Sequence, residues 1–248
     1  MNLQEVFDQL SAGEFSQLSL GGAGVGVINE TNYQGLLGHI NLGLTALFKK
    51  FPLKEGRLSI ALQPGQALYK LNSAFAVANT GSTELVKYIL DTVDDPFQDD
   101  VLKIEKVLTE AEAEFPLNDG SDVYSMFTPS ALQLRVPQEL VTDGADLPEE
   151  METDILTVVY RANHPKILLS EVQFDPSQVE LWLPESHLEP LLYYVASRVN
   201  NPVGMANEFH AGNSYYAKYV AACQALMEEG LQVDQGSTNY RLISNGWA

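Results

Sequence analysis

The sequence predicts an α+β chain. A helical bundle core, made of N-terminal helices and a C-terminal helical hairpin, carries a mainly β insertion and an extended C-terminal arm. Three observations predict it. Apolar residues recur at helical spacing over residues 31–51 and again over 186–229. Between these stretches the period shortens to two, and prolines, Asn118-Asp119-Gly120 and Asp143-Gly144 punctuate the runs. Residues 231–248 have neither period yet hold Leu231, Val233, Tyr240, Leu242, Ile243 and Trp247. The parts are then 1–52, N-terminal helices; 53–183, a β-rich insertion; 184–230, the hairpin that completes the bundle; and 231–248, the arm.

In chain order, Val6, Phe7, Leu10 and Leu18 predict a helix over 3–20, broken or ended near Gly13. The glycines that follow, at 21, 22, 24 and 26, do not form G-x-G-x-x-G after a strand, and no G-K-[ST] occurs. They read as a connector, not a phosphate loop. Tyr33, Leu36, Leu37, Ile40, Leu44, Leu47, Phe48 and Phe51 make the strongest helical stripe, with Thr31 and Gln34 spaced as a capping box. Lys49 and Lys50 suit the negative end of that helix, and Pro52 stops it.

Strands are expected at Arg57–Gln63, Gln66–Leu71, Val101–Leu108, Val123–Phe127, Ala131–Val136, Ile155–Tyr160 and Val179–Leu183. A short helix is expected within 83–92, and 107–115 reads equally as strand end or helix. Helix returns at 186, where Ser186 and Glu189 have capping-box spacing. Leu191, Leu192, Val195 and Val199 form one stripe. After Asn200-Asn201-Pro202, the residues Phe209, Tyr216, Tyr219, Val220, Cys223, Leu226 and Met227 form another, closed by Gly230.

Composition narrows the function. With 14 basic and 33 acidic residues the chain carries −19, and its only basic pair is Lys49-Lys50, so a nucleic-acid backbone finds no basic patch to bind. The balance suits solubility, and it equally suits a surface that must not hold passing DNA. No apolar run is long enough to span a membrane, and the first ten residues lack the basic start and apolar stretch of a secretory signal. Cys223 is the only cysteine, which excludes an intramolecular disulfide and a cysteine zinc site and fits a reducing cytoplasm as the place of synthesis. It sits on an apolar helix face, as a buried inert thiol would.

No catalytic or metal constellation stands out. His39, His164, His187 and His210 are scattered, without H-E-x-x-H, and there is no G-x-S-x-G elbow. The acidic pairs Asp94-Asp95, Asp99-Asp100, Glu149-Glu150 and Glu228-Glu229 lie in polar surroundings, and the calcium-loop pattern is absent, leaving 94–100 as at most a weak cation site. No catalytic residue, cofactor or metal is therefore assigned. The aromatic run 213–219 reads as core or subunit contact, through Tyr216 and Tyr219.

Three C-terminal segments, LPESHLEPLLYYVASRVNNPVG, GNSYYAKYVAACQAL and LQVDQGSTNYRLISNGWA, resemble the C-terminal half of head-to-tail adaptor (head completion, connector) proteins of tailed bacteriophages. INLGLTALFKKFPLKEG (40–56), FPLND (115–119) and VVYRANHPKI (158–167) resemble the same family. The resemblance implies a structural virion protein with a helical core and a variable β insertion, not an enzyme. It implies a ring, typically of twelve copies, at the head–tail junction beneath the portal protein. Tail or tail-tube and nozzle proteins would bind below, and DNA would pass through during ejection without specific binding. C-terminal arms would clasp the portal, giving Leu231, Val233, Tyr240, Leu242, Ile243 and Trp247 as portal contacts and Leu191, Leu192, Val195, Tyr216 and Tyr219 as ring-body or subunit packing. Twelve copies at −19 each carry on the order of −200 charges, which repel DNA within about one Debye length of ~8 Å. Two alternatives are a virion-associated enzyme that cleaves peptidoglycan and another structural capsid or tail component.

Overall fold

A computed structural model describes residues 1–16, 26–142, 152–200 and 206–230. The three glycines at 21, 22 and 24, the Asp143-Gly144 turn, Glu149-Glu150, the Asn201-Pro202 joint and the whole arm 231–248 lie outside the described residues. The chain is mixed α+β, with five α-helices and two antiparallel sheets among the described residues. It divides into a helical unit, formed by residues up to Gly43 together with those from Ile167 onward, and a β unit, Leu44–Lys166.

In the helical unit, α1 (Leu3–Ala12) starts where Asn2 and Glu5 cap one another: the Glu5 N–H donates to Asn2 Oδ1 at 3.0 Å and the Asn2 N–H to Glu5 Oε2 at 3.3 Å. It buries Leu3, Val6, Phe7 and Leu10 and ends at Gly13, as the sequence indicates. The second helix, α2 (Glu30–Lys50), is capped two residues earlier than expected. Asn29 Oδ1 accepts both the Thr31 N–H and its hydroxyl, so Asn29 replaces the Thr31–Gln34 box. A short carboxamide two residues ahead reaches the first free N–H directly. The expected stripe from Leu36 to Phe51 is buried. α2 continues from the helical unit into the β unit.

Residues 179–183 correct an expected strand. They are extended, and Leu181 and Leu183 are buried in alternation, but the stretch makes only a bridge from Glu180 to Asn2. Its bonds go to the chain start: the Leu3 N–H donates to Val179 O and the Leu181 N–H to Met1 O, both at 2.9 Å. Period two reports an extended backbone with one buried side; it does not supply a neighbouring strand.

After α3 (Leu169–Phe174), α4 (Leu188–Val199) begins two residues past Ser186, behind a 3₁₀ turn at Glu185–His187. The Ser186–Glu189 box does not form. Ser186 Oγ lies 3.0 Å from His187 Nδ1, and Glu189 accepts the Tyr193 hydroxyl at 2.7 Å. Pro190 sits in the first turn, where no N–H is needed. The last helix, α5 (Ala206–Glu228), packs along α4. It closes at Gly230, whose φ of +72° is the left-handed turn that glycine takes without steric cost. Where α2 meets α4, a Cβ on Gly43 would lie 2.8 Å from Leu191 Cδ1 and 3.0 Å from Tyr194 Cδ1, so the helices approach through the missing side chain.

The β unit holds β1 (Glu55–Ala61), β2 (Leu68–Lys70), β3 (Ile89–Leu90), β4 (Val101–Leu108), β5 (Phe127–Ser130), β6 (Gln133–Arg135) and β7 (Ile155–Ala162). One sheet has the order β3-β1-β7-β4 and the other β2-β6-β5. Inward residues of both, including Leu58, Ile60, Tyr69, Leu134, Leu156 and Val158, share one apolar core. Buried tyrosines fasten loops to it: Tyr88 Oη accepts the Lys70 N–H at 2.8 Å and donates to Lys70 O at 3.0 Å, while Tyr69 Oη accepts the Gln63 N–H at 2.7 Å.

Three expectations shift here. The strand expected at 123–127 begins only at Phe127, because 119–125 is spent on Asx turns at Asp119 and Asp122. The short helix expected within 83–92 is absent. The chain there is irregular up to β3, held where Asp91 Oδ1 accepts the Ala78 N–H at 2.7 Å. The ambiguous 107–115 resolves as the end of β4 followed by a turn, with the Thr109 N–H bonded to Ala113 O at 2.9 Å.

Candidate functional site

The described part of the expected interaction surface is the α4–α5 hairpin. Leu191, Leu192 and Val195 are buried on α4, and Tyr219, Cys223 and Leu226 answer them on α5. Tyr216 does not join that stripe: it is 53% exposed, its ring tilted against Tyr219 with centroids 5.8 Å apart, and Val220 is exposed beside it. The buried stripe is narrow because α4 is the element that packs along α5. Tyr216 and Val220 therefore form an outward edge of the hairpin, which corrects the core alternative for Tyr216 and leaves subunit contact as its reading. Nearby, Lys218 Nζ stands 5.0 Å from the Tyr215 ring centroid and 5.6 Å from that of Tyr193, a cation held over two aromatic faces. Burial raises the Tyr219 hydroxyl above its ordinary pKa, with Cys223 adding to it; the Tyr193 hydroxyl is raised to about 12, chiefly by its bond to Glu189. Both stay protonated donors at neutral pH. Leu231, Val233, Tyr240, Leu242, Ile243 and Trp247 lie outside the described residues.

The β unit carries a second candidate, a cleft of about 420 Å³ between β1 and the loop after β3. Its floor is a three-residue network drawn from distant positions. Lys54 Nζ donates to Asp100 Oδ2 at 2.8 Å and Tyr160 Oη donates to Asp100 Oδ1 at 2.9 Å. The Asp100 side chain is 12% exposed. Burial, then the Asp100 charge, pushes the Tyr160 hydroxyl well above its usual range, so it remains the donor. The Tyr160 ring lies over Gly56 on the paired strand, so closely that a Cβ on Gly56 would fall 2.3 Å from Tyr160 Cζ. Spacings of 46 and 60 residues hide this network from the sequence, and only Gly56 inside a strand pattern hints at a close approach.

The acidic stretch 94–100 and its neighbour Asp91 work as loop fasteners. Asp91 accepts the Ala78 and Phe97 N–H groups, Asp99 accepts the Ser73 N–H at 2.6 Å and its hydroxyl, and Asp100 is engaged as above. Among the described residues no three His, Cys, Asp or Glu side chains converge on a common point. Arg161 and Glu105, 2.8 Å apart and nearly covered, form a further ion pair on the sheet.

Three histidines make stability depend on pH: His39, lowered by burial and then by the Arg198 charge, acts in the same direction as the two more deeply buried ones. His164 and His187 are 7% and 2% exposed, and burial lowers both below the ordinary value; for His164 the bond to Pro165 O partly offsets this. A lowered folded-state pKa means that the unfolded chain binds the extra proton first. Stability is then full above the unfolded value of ~6.5 and is lost as pH falls from there toward the folded values. Urea midpoints should fall between about pH 7 and 5, before most carboxylates titrate. His187→Asn should flatten that fall; an unchanged slope contradicts the assignment.

No family model matches this chain, and no curated protein matches it. Among the described residues no helix is long and apolar enough to cross a membrane.

Proposed function

We propose that this chain is a structural ring protein of a virion, joining the portal vertex of a phage head to the tail and continuing the DNA channel. In this reading residues 184–230 complete a helical bundle that forms the ring body, and residues 231–248 are the portal-binding arm. The observation that carries it is the end of the hairpin. α5 closes at a left-handed Gly230, and the eighteen residues beyond it hold Leu231, Val233, Tyr240, Leu242, Ile243 and Trp247 without the period of any element that would bury them. Such side chains gain free energy only against a partner, and tyrosine and tryptophan are the usual anchors of an interface. Four of the six segments that resemble head-to-tail adaptors fall on α2, β7, α4 and α5, elements that build both units. The charge of −19 supports a channel wall that lets a polyanion slide.

Native mass spectrometry of the purified chain mixed with the portal ring of the same particle tests this. The expected result is addition of twelve copies per portal and no retention of duplex DNA at physiological salt. A chain that leaves the portal mass unchanged sinks the reading.

A further inference from the structure

We propose that the cleft beside β1 accepts an extended, basic peptide segment of a partner protein as an added β-strand. This inference is independent of the proposed ring role. It begins with the direction of the main-chain groups. The register of β1 with β7 is unbroken from Glu55↔Arg161 to Ala61↔Ile155. On that side the Leu62 N–H donates to Asp154 O and the Ala162 N–H to Lys54 O, so even-numbered residues of β1 face β7. The Ala61 N–H donates to Tyr88 O on the opposite side, so odd-numbered residues face β3.

β3 is too short to use them. It pairs only Ser59↔Leu90 and Ile60↔Ile89. Continued one step, that register would set Thr92 against Arg57. Thr92 turns away instead: its N–H goes to Asp95 O, and its hydroxyl accepts the Asp95 N–H at 3.1 Å. The N–H and C=O of Glu55 and Arg57 are thereby left pointing past the end of β3, with no hydrogen-bond partner among the described residues. The cleft lies there, walled by residues 54–59 on one side and by 90–92 and 95–98 on the other. Its volume suits a strand segment of about three residues, each rising ~3.3 Å and seated ~4.8 Å from β1. A sheet edge with free main-chain groups beside a preformed slot is the geometry of strand addition.

Side-chain chemistry selects the guest. On the core face, Gly56 leaves room that the Tyr160 ring covers, so the guest residue opposite it is small and apolar. On the outer face Glu55 and Arg57 are both exposed. The charged lining residues are Glu55, Asp91, Asp95 and Asp100 against Lys54 and Arg57, an excess of two negative charges. Asp91 and Asp100 are already bonded within the unit and Glu55 Oε1 lies 3.6 Å from Arg57 Nε, which leaves exposed Asp95 as the carboxylate that receives a cation. The guest is therefore a segment alternating lysine or arginine with small apolar residues.

The test uses the full-length ¹⁵N-labelled chain and a synthetic peptide, acetyl-Lys-Val-Lys-Val-Lys-Val-Lys-amide. A second peptide of the same sequence is N-methylated at alternate residues, keeping the charge but losing the donors a strand needs. The expected result is saturable shifts of the Glu55 and Arg57 amides with at least tenfold slower solvent exchange, no effect of the methylated peptide, and about tenfold weaker binding after Asp95→Lys. Equal binding of both peptides, or no protection of the two amides at millimolar peptide, overturns the proposal. So does protection that grows with protein concentration in the absence of peptide, because the edge is then taken by a second copy of this chain.

Discussion

Replacing Gly56 with alanine is expected to destabilise the β unit by about 2 kcal/mol, although alanine ordinarily fits a strand better than glycine does. The reason is the Tyr160 ring. A Cβ at position 56 would lie 2.3 Å from its Cζ and 2.6 Å from its Cε2 and Oη. The ring is 6% exposed, and its edge packs against Phe97 with centroids 6.4 Å apart. It cannot move aside without drawing its hydroxyl away from Asp100. That carboxylate would then keep Lys54 as its side-chain partner and lose a donor in a nearly closed site, which adds ~1 kcal/mol or more. Urea midpoints of Gly56→Ala, Tyr160→Ala and the double variant check this as a thermodynamic cycle. Tyr160→Ala should itself be costly, but in its background Gly56→Ala should be neutral or stabilising, a coupling of about 2 kcal/mol. Additive effects would show that the ring does not cover the glycine.

Removing residues 231–248 is expected to abolish attachment to the portal while leaving the fold intact. The hairpin already closes at Gly230, so the melting temperature of the truncated chain is expected to stay within a few degrees of the full chain. Among point variants, Trp247→Ala and Tyr240→Ala should weaken attachment most, by about 2 kcal/mol or more each, with Leu242→Ala and Ile243→Ala close behind. Leu231 and Val233, next to the hairpin, should matter less than the distal aromatics. Surface-plasmon measurements on immobilised portal rings separate the cases. A truncated chain that binds with unchanged affinity removes the arm from the account.

How far the sequence carried this reading depended on how far each signal reached along the chain. The α2 stripe from Leu36 to Phe51 was legible because a long helix repeats one face many times over, and each repeat reinforces the rest. β1, β4 and β7 were legible for the same reason at period two. β3 was not, because two residues cannot show a period, and the loops around it are held by Asp91, Asp99 and Tyr88, whose partners lie elsewhere in sequence. Caps were misread where two candidates competed: Asn29 took the place of Thr31, and a 3₁₀ turn at Glu185–His187 displaced Ser186. The extended stretch 179–183 passed for a strand because alternation reports burial and not pairing. Helical spacing left Tyr216 open between core and subunit contact because it does not reveal how wide a face its neighbour covers. The Lys54–Asp100–Tyr160 network and the open edge of β1 were out of reach altogether, since both depend on which strands become neighbours.

The most direct test of the proposed role is to locate the chain in the intact particle by electron cryomicroscopy. The proposed role predicts a ring of twelve copies directly beneath the portal, acidic surface toward the DNA, with residues 240–247 of each copy seated on portal subunits. Finding the chain elsewhere in the particle, or in a ring whose portal contacts are made without residues 231–248, would contradict it.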